Sequence, residues 1–291
     1  MKKNPARVSV HGGHSGQFCS HAADSLEEII EAYIATGFSW VGITEHMPAL
    51  ADVFLYPEEK EAGFTVELLN HRFGQYIREG RRLQHKYRHQ ITLFVGMEIE
   101  TYKGYREMVG RFLEEFQPDY IVGSVHHVDD MPIDYTPDMY AEAARSAGGM
   151  DNLYCRYFDQ QFEMLKHFKP AVVGHFDLIR IYDPKYRNRL KKPPIMERIE
   201  RNLDFIQQEG LILDYNLRAL LKGADEPYVS REILSLARQR EIAVVPGDDS
   251  HGADSIGLYI DRAMLELEEL GFNTNWQTPA LYKGESEFRD K

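Results

Sequence analysis

The stretch "VHGGHSGQFCSHA" (10–22) carries three imidazoles, His11, His14 and His21, with a glycine pair between the first two. Similar groups recur along the chain: Glu45 and His46 in "TEHMP", Glu98 and Glu100 in "GMEIE", and His126 and His127 in "GSVHH". Two more follow, His175 and Asp177 in "GHFD" and Asp248, Asp249 and His251 in "GDDSH". Neutral imidazole and carboxylate are the ligands of borderline divalent ions such as Zn, Fe and Mn. More than four histidines exceed one tetrahedral site, so the set predicts a multinuclear centre in which a carboxylate can bridge two ions. Such a centre lowers the pKa of water and clamps both oxygens of a displacement.

Each of these groups closes a short, β-branched, nearly unbroken apolar run. Seven such runs are present, 7–10, 40–44, 91–98, 120–125, 171–175, 211–216 and 242–247, all but 211–216 ending in one of these groups, the pattern of strands buried on both faces. Eight of the twelve histidines (11, 14, 21, 46, 126, 127, 175 and 251) fall at or just beyond strand C-termini. The other four, His71, His85, His89 and His167, lie on or near polar helical segments. Amphipathic helical patterns fill 24–37, 64–88, 105–116, 151–168, 194–209, 228–240 and 254–270. The first has Asp24 or Ser25 as N-cap, Glu28 placed for a capping box with Ser25, and Gly37 as a stop. Seven strand-then-helix units with no obvious linker predict a single α/β domain over 1–291, closed into a TIM-like barrel. Segments 47–63 and 127–150 lack strong periodicity, and with the basic run 182–194 they follow strands. In a barrel they sit on the C-terminal face, where active sites are built. The basic run reads equally as a solvated loop and as a cover over the site.

The 291 residues carry a formal net charge of −12. That argues against nucleic-acid or membrane-surface partners, while a few arginines and metal cations in a cleft still accommodate a small phosphorylated substrate. Two cysteines, Cys19 and Cys155, make no disulfide framework, and Cys19 reads as a small packing residue. No segment reads as a signal peptide or a membrane span, which leaves a cytoplasmic protein as the expectation.

Among the ligand candidates, Glu98 is favoured over Glu100 and Asp249 over Asp248, because Asp249 and His251 share a face. His127, adjacent to His126, reads as an outer or substrate contact. The spacing His11-Gly12-Gly13-His14 is a difficulty: strict strand alternation turns the two imidazoles to opposite sides. The glycines must supply unusual backbone angles or a bulge that turns His14 back.

Together, "HGGHSGQFCSHA", "GITEHMP", "VGMEIE", "DYIVGSVHHV", "VVGHFDLIR", "LDYNLRAL" and "PGDDSHGADSIG" resemble the PHP (polymerase and histidinol phosphatase) superfamily, and within it the monofunctional histidinol-phosphate phosphatases. The resemblance runs from Val10 to about Gly257. It implies a distorted (β/α)7 barrel holding three divalent ions (Zn, Fe or Mn). The first ion takes His11, His14, Glu98 and Asp249, the second shares Glu98 with His126 and His175, and the third takes His21, His46 and His251. A metal-bridging hydroxide attacks phosphorus in line, with Glu98, Asp249 and His251 in the catalytic set and Asp249 or a nearby histidine moving the proton. The family's usual opening has one residue between its first two histidines, not two as here.

By the same resemblance Arg180 and Arg218 contact phosphate, which suits the paired donors of guanidinium. Asp134, Asp177 and Asn216 are candidates for the amine or imidazole of histidinol, with His127 a further substrate contact. The implied activity is hydrolysis of L-histidinol phosphate in histidine biosynthesis. The alternative is a PHP or amidohydrolase-like hydrolase acting on another small phosphoester or a C–N bond.

Overall fold

A computed structural model describes residues 5–282. Seven strands, one of them broken into two segments, run parallel around a closed barrel. β1 (Arg7–Ser9), β2 (Phe38–Ile43) and β3 (Thr92–Val95) pair in that order. β4 (Met97–Ile99) continues β3 after Gly96 and pairs with β5 (Ile121–Gly123). An antiparallel ribbon, β6 (His127–Val128) with β7 (Met131–Pro132), follows outside the barrel. β8 (Val172–Val173), β9 (Ile212–Asn216) and β10 (Val244–Gly247) complete the ring.

Two seams close it. Gly96 N donates to Ile43 O and Glu98 N to Glu45 O, so the third strand stays on the second across its break. Val10 N donates to Pro246 O at 2.9 Å, and Asp249 N to His11 O at 2.9 Å, joining first strand to last. The result is the distorted (β/α)7 barrel that the resemblance implies, with the seven strands counted in the sequence.

Alternation along the strands sorts side chains into two apolar layers. Val8, Val10, Tyr120, Val122, Val172, Ile212 and Val245 form an inner cluster. Their neighbours Val41, Ile43, Val95, Ile121, Val173, Leu213, Tyr215 and Val244 join the core shared with the helices. The inner cluster is small, and towards the strand C-termini the same inward positions turn polar. Val122 is followed at even spacing by Ser124 and His126, Ile212 by Asp214 and Asn216, and Val245 by Gly247 and Asp249.

The helices form the outer ring. α1 (Leu26–Ala35) has the expected capping box, Ser25 with Glu28. α2 (Pro57–Glu61) is a short turn in segment 47–63. Then come α3 (Val66–Tyr87), α4 (Tyr105–Phe116), α5 (Pro137–Ser146) and α6 (Met150–Phe168). α7 (Tyr186–Leu190), α8 (Pro193–Glu209), α9 (Arg218–Leu221), α10 (Arg231–Gln239) and α11 (Ile260–Glu269) complete the set. Segment 127–150 is thus not all loop: it holds the ribbon and α5. The last two helical patterns are shorter than expected, because Tyr228 bridges to Asn216 at the strand end and a 3-10 turn occupies Ala253–Ser255. Among the described residues no helix is long and apolar enough to cross a membrane.

Candidate metal centre and the cavity above it

Glu98 sits at the middle of the polar end of the barrel, 1% exposed. Its Oε1 lies 3.0 Å from His175 Nε2 and 3.4 Å from His126 Nε2. Its Oε2 lies 3.0 Å from His46 Nδ1 and 3.4 Å from His11 Nε2. A second carboxylate, Asp249, places Oδ1 3.2 Å from His14 Nε2 and 3.6 Å from His251 Nδ1. Asp249 has φ 45, a left-handed conformation that Asp tolerates better than most residues and that often marks a functional site.

The glycine pair brings His11 and His14 to one side by close packing rather than by unusual torsions. β1 ends at Ser9, so strand alternation no longer governs His11 and His14. Neither Gly12 nor Gly13 has a positive φ. A Cβ on Gly12 would meet Gly42 O at 2.4 Å, and one on Gly13 would meet Ile29 Cγ2 at 2.9 Å. The chain is pressed against β2 and α1, then held by Gly12 N to Gly42 O and His14 N to Ser250 O. The two imidazole centroids end 6.0 Å apart.

Three further imidazoles cluster beyond His14. His21 and His251 stack at 4.9 Å, His14 and His251 lie at 4.6 Å, and His46 lies 4.5 Å from His14. His251 Nδ1 donates to Asp249 O at 2.9 Å, leaving its Nε2 lone pair free. His11 Nδ1 donates to Asp214 Oδ2 at 2.9 Å, which makes Nε2, 3.4 Å from Glu98 Oε2, the ring nitrogen available to an ion.

Among the described residues, many of these inward atoms have no hydrogen-bond partner although buried. They include His11 Nε2, both ring nitrogens of His14, His46 Nδ1 and Glu45 Oε2; on His126 and His175, whose Nε2 atoms face Glu98, the unpaired nitrogen is Nδ1. Buried polar atoms are ordinarily paired, and an unpaired concentration of lone pairs is the environment a cation requires. Ligand atoms of His11, His14 and Asp249, of His11, Glu98 and His175, and of Cys19, His21, His46 and His251 fall into mutually close groups.

The electrostatics agree. Burial would raise Glu98 and Asp249, but the surrounding imidazoles hold both well below the usual carboxylate range. Burial acts to lower His14 and His126, yet the carboxylates lift them to about 9 and about 10. His21 is driven down to about 3 by burial and by His46 and His14. The carboxylates therefore draw positive charge to one part of the cluster, while His21 stays neutral with its lone pairs available. This donor set fits divalent cations.

A matching sequence family model, the PHP domain, covers residues 12–218. The chain belongs to the PHP domain family. This PHP protein is 34% identical over 271 residues to the probable histidinol-phosphatase of Schizosaccharomyces pombe, covering 92% of this chain and 88% of that protein. It is 28% identical to the histidinol-phosphatase of Saccharomyces cerevisiae, covering 92% of each. Its fold is similar to that of a histidinol phosphate phosphatase from Lactococcus lactis solved with zinc, L-histidinol and phosphate. That match has a TM-score of 0.74 at 19% identity and covers 95% of this chain and 99% of the other. A putative histidinol phosphatase from Listeria monocytogenes matches with a TM-score of 0.75 at 24% identity over 86% and 97%.

Above the cluster the PHP protein opens a cavity of about 260 Å³. Its floor is His21, His46, Glu98, His126, His175, Asp249 and His251, and its walls include Tyr56, Asp134, Tyr228, Arg218 and Lys222. Arg218 and Asp134 are thus brought to the cavity. Asp134 lines the space, and its Oδ1 is buried without a hydrogen-bond partner among the described residues.

Other candidates are placed elsewhere. Arg180 is 5% exposed and does not line the cavity. Its Nη2 donates to Glu226 O and Pro227 O, its Nε to Asp177, and its guanidinium lies between the rings of Tyr186 and Tyr228. Arg180 and Asp177 therefore brace the loop that carries Tyr228. His127 packs behind the floor, 3.5 Å from Glu100 and edge-on to Tyr102. Asn216 donates to Asp249 Oδ2 at 3.1 Å and to Asp214 Oδ2 at 2.9 Å, so it orients the ligand shell. In the basic run, Arg187 pairs with Glu226, Arg189 with Asp183, and Lys192 with Asp151, away from the cavity. Asp248 is held by Ser9 Oγ and the Tyr33 hydroxyl beneath the site.

Sequence reading missed Asp214, Lys222, Tyr56 and Tyr228. Asp214 had a usable signal: a carboxylate inside an otherwise apolar strand, two residues before Asn216 and on the same face. Glu45, noted at the end of β2 but outside the proposed set, lies 3.5 Å from His14 Nδ1 and anchors Ser15 through N and Oγ at 2.8 Å each.

Proposed function

We propose that the protein hydrolyses L-histidinol phosphate to L-histidinol and phosphate, with divalent metal ions at the barrel mouth. The observation that carries this reading is the shell of unpaired imidazole and carboxylate atoms around Glu98, directly beneath a cavity that presents Arg218 on one wall and unpaired Asp134 on another. The curated relatives named as histidinol-phosphatases, and the similar fold seen with zinc, L-histidinol and phosphate, supply the substrate.

His11, His14, Glu98 and Asp249 would hold one ion, Glu98, His126 and His175 a second, and His21, His46 and His251 a third, drawn from Zn, Fe and Mn. Ions bound there supply a strong nucleophile from water at neutral pH and offset the phosphoryl charge. Arg218 and Lys222 bind the phosphoryl oxygens from above. Asp134 accepts a hydrogen bond from the substrate's ammonium or imidazole. Tyr56 and Tyr228 narrow the cavity and limit water. Asn216 fixes one oxygen of Asp249 and leaves the other towards the ion position between it and His14, with His251 beside it. The same reading takes 1–291 as one catalytic domain acting in the cytoplasm.

The test is phosphate release by protein reconstituted with Zn, Fe or Mn, measured across a panel of small phosphomonoesters. L-Histidinol phosphate is expected to be the preferred substrate. Efficient turnover of another ester, with histidinol phosphate ignored, would remove the substrate assignment and leave the reaction class.

A further inference from the structure

Cys19 has a place in the ligand geometry that its reading as a packing residue does not explain. Cys19 N and Phe18 N both donate to Ser15 O, which winds residues 15–19 into a tight turn. Ser15 is tied to Glu45 through two 2.8 Å hydrogen bonds. The turn delivers Cys19 Sγ to 3.4 Å from both ring nitrogens of His21. Ligand atoms of Cys19, His21, His46 and His251 lie within 4.8 Å of one another. A tetrahedral ion with sulfur at about 2.3 Å and nitrogen at about 2.0–2.1 Å sets the S···N edge at about 3.6 Å. Sγ is equidistant from the two nitrogens, so the His21 ring turns to aim one lone pair at an ion shared with Sγ.

A second, adjoining group of ligand atoms meets Sγ from its other side. Sγ also falls in a close group with His14 and Glu45. His14 is 0% exposed and Glu45 2%, and among the described residues both His14 ring nitrogens and Glu45 Oε2 have no hydrogen-bond partner. A thiol that merely packed would not need buried unpaired ligand atoms on two sides.

We infer that Cys19 is the fourth ligand of the ion held by His21, His46 and His251, giving that position a one-thiolate, three-imidazole shell. This rests on the metal-centre reading above. On binding, the S–H bond breaks, its proton leaves to solvent, and sulfur donates to the ion. A thiolate makes this position prefer Zn, Co or Fe over Mn, whereas the Glu98 positions keep harder nitrogen and oxygen donors. The same ligand makes the position sensitive to thiol reagents.

Cobalt(II) tests this directly. The metal-free full-length protein is titrated with Co(II) and its absorption recorded, with the Cys155→Ser variant run in parallel. Cys155 is half-buried on α6 outside the site, so the variant leaves Cys19 as the one thiol in the chain. The expected result is an intense near-ultraviolet thiolate-to-cobalt charge-transfer band in both proteins, absent in Cys19→Ser. Cobalt bound with its visible bands but no charge-transfer band would overturn the Cys19 assignment and leave the metal centre standing. A band lost in Cys155→Ser would overturn it too. Failure to retain any cobalt would overturn both this inference and the reading beneath it. Because Cys155→Ser alone decides the outcome, a Cys19→Ser variant that fails to fold does not affect the test.

Discussion

His11 and Asp214 form a buried pair in which the carboxylate, 203 positions away in the chain, sets the imidazole tautomer. Asp214 Oδ2 also accepts from Asn216 Nδ2 and from the backbone N of His175 at 3.3 Å. One carboxylate thereby orients two candidate ligands and the residue that steadies Asp249. Replacing Asp214 with Asn should weaken metal affinity by about 10- to 100-fold while the fold persists. Chelator competition followed by metal analysis measures it, and unchanged affinity would show that Asp214 serves packing alone.

The two arginines separate by role. Arg218→Ala should raise KM for the phosphoester with little change in melting temperature, because Arg218 lines open space. Arg180→Met strands Asp177, which is 0% exposed. It should cost about 3 kcal/mol of stability and show first in thermal unfolding. If Arg180→Met leaves stability intact and raises KM, the guanidinium belongs to the substrate instead.

Gly12→Ala probes the close approach that turns His11 and His14 to the same side. The added methyl meets Gly42 O at 2.4 Å, so the opening segment must shift or the barrel must open. The expected cost is about 1–3 kcal/mol, with loss of bound metal. A stable Gly12→Ala protein with full metal content would show that the segment has slack.

Proton competition gives metal binding a definite pH dependence. In the metal-free protein, burial lowers His14 and His126 but Asp249, Glu45 and Glu98 outweigh it, lifting them to about 9 and about 10. At pH 7 both carry protons that an incoming ion must displace. Affinity should therefore rise from pH 7 to pH 9, with about two protons released per protein from these histidines at the lower end. Calorimetry in buffers of different ionisation enthalpy counts them; binding with no proton release would contradict the assignment of His14 and His126 as ligands.

Strand-end histidines made the site legible in sequence because a parallel barrel gathers its strand C-termini at one mouth. The seven apolar runs and the capping box on α1 were readable for the same reason: their signals are local. Helix α5 was not, since Ala143 and Ala144 supply much of its buried face and small residues leave a faint apolar period. The direction of Arg180 was not readable, because chain position locates a side chain near the mouth without fixing where it points. A 3-10 turn over Leu178–Arg180 points it at the 226–227 carbonyls instead. Asp214 stayed hidden because its meaning depends on His11, from the opposite end of the chain.

The seam between β1 and β10 has a consequence for how the molecule is made. Ser9 bonds Asp248 across 239 positions, beside the contact of His14 with Ser250. A nascent chain that has not yet reached β10 lacks Asp249 and His251. The nascent protein exposes imidazoles and a thiol that have no finished cage. The groups that include Asp249 and His251 are therefore completed only when β10 closes on β1.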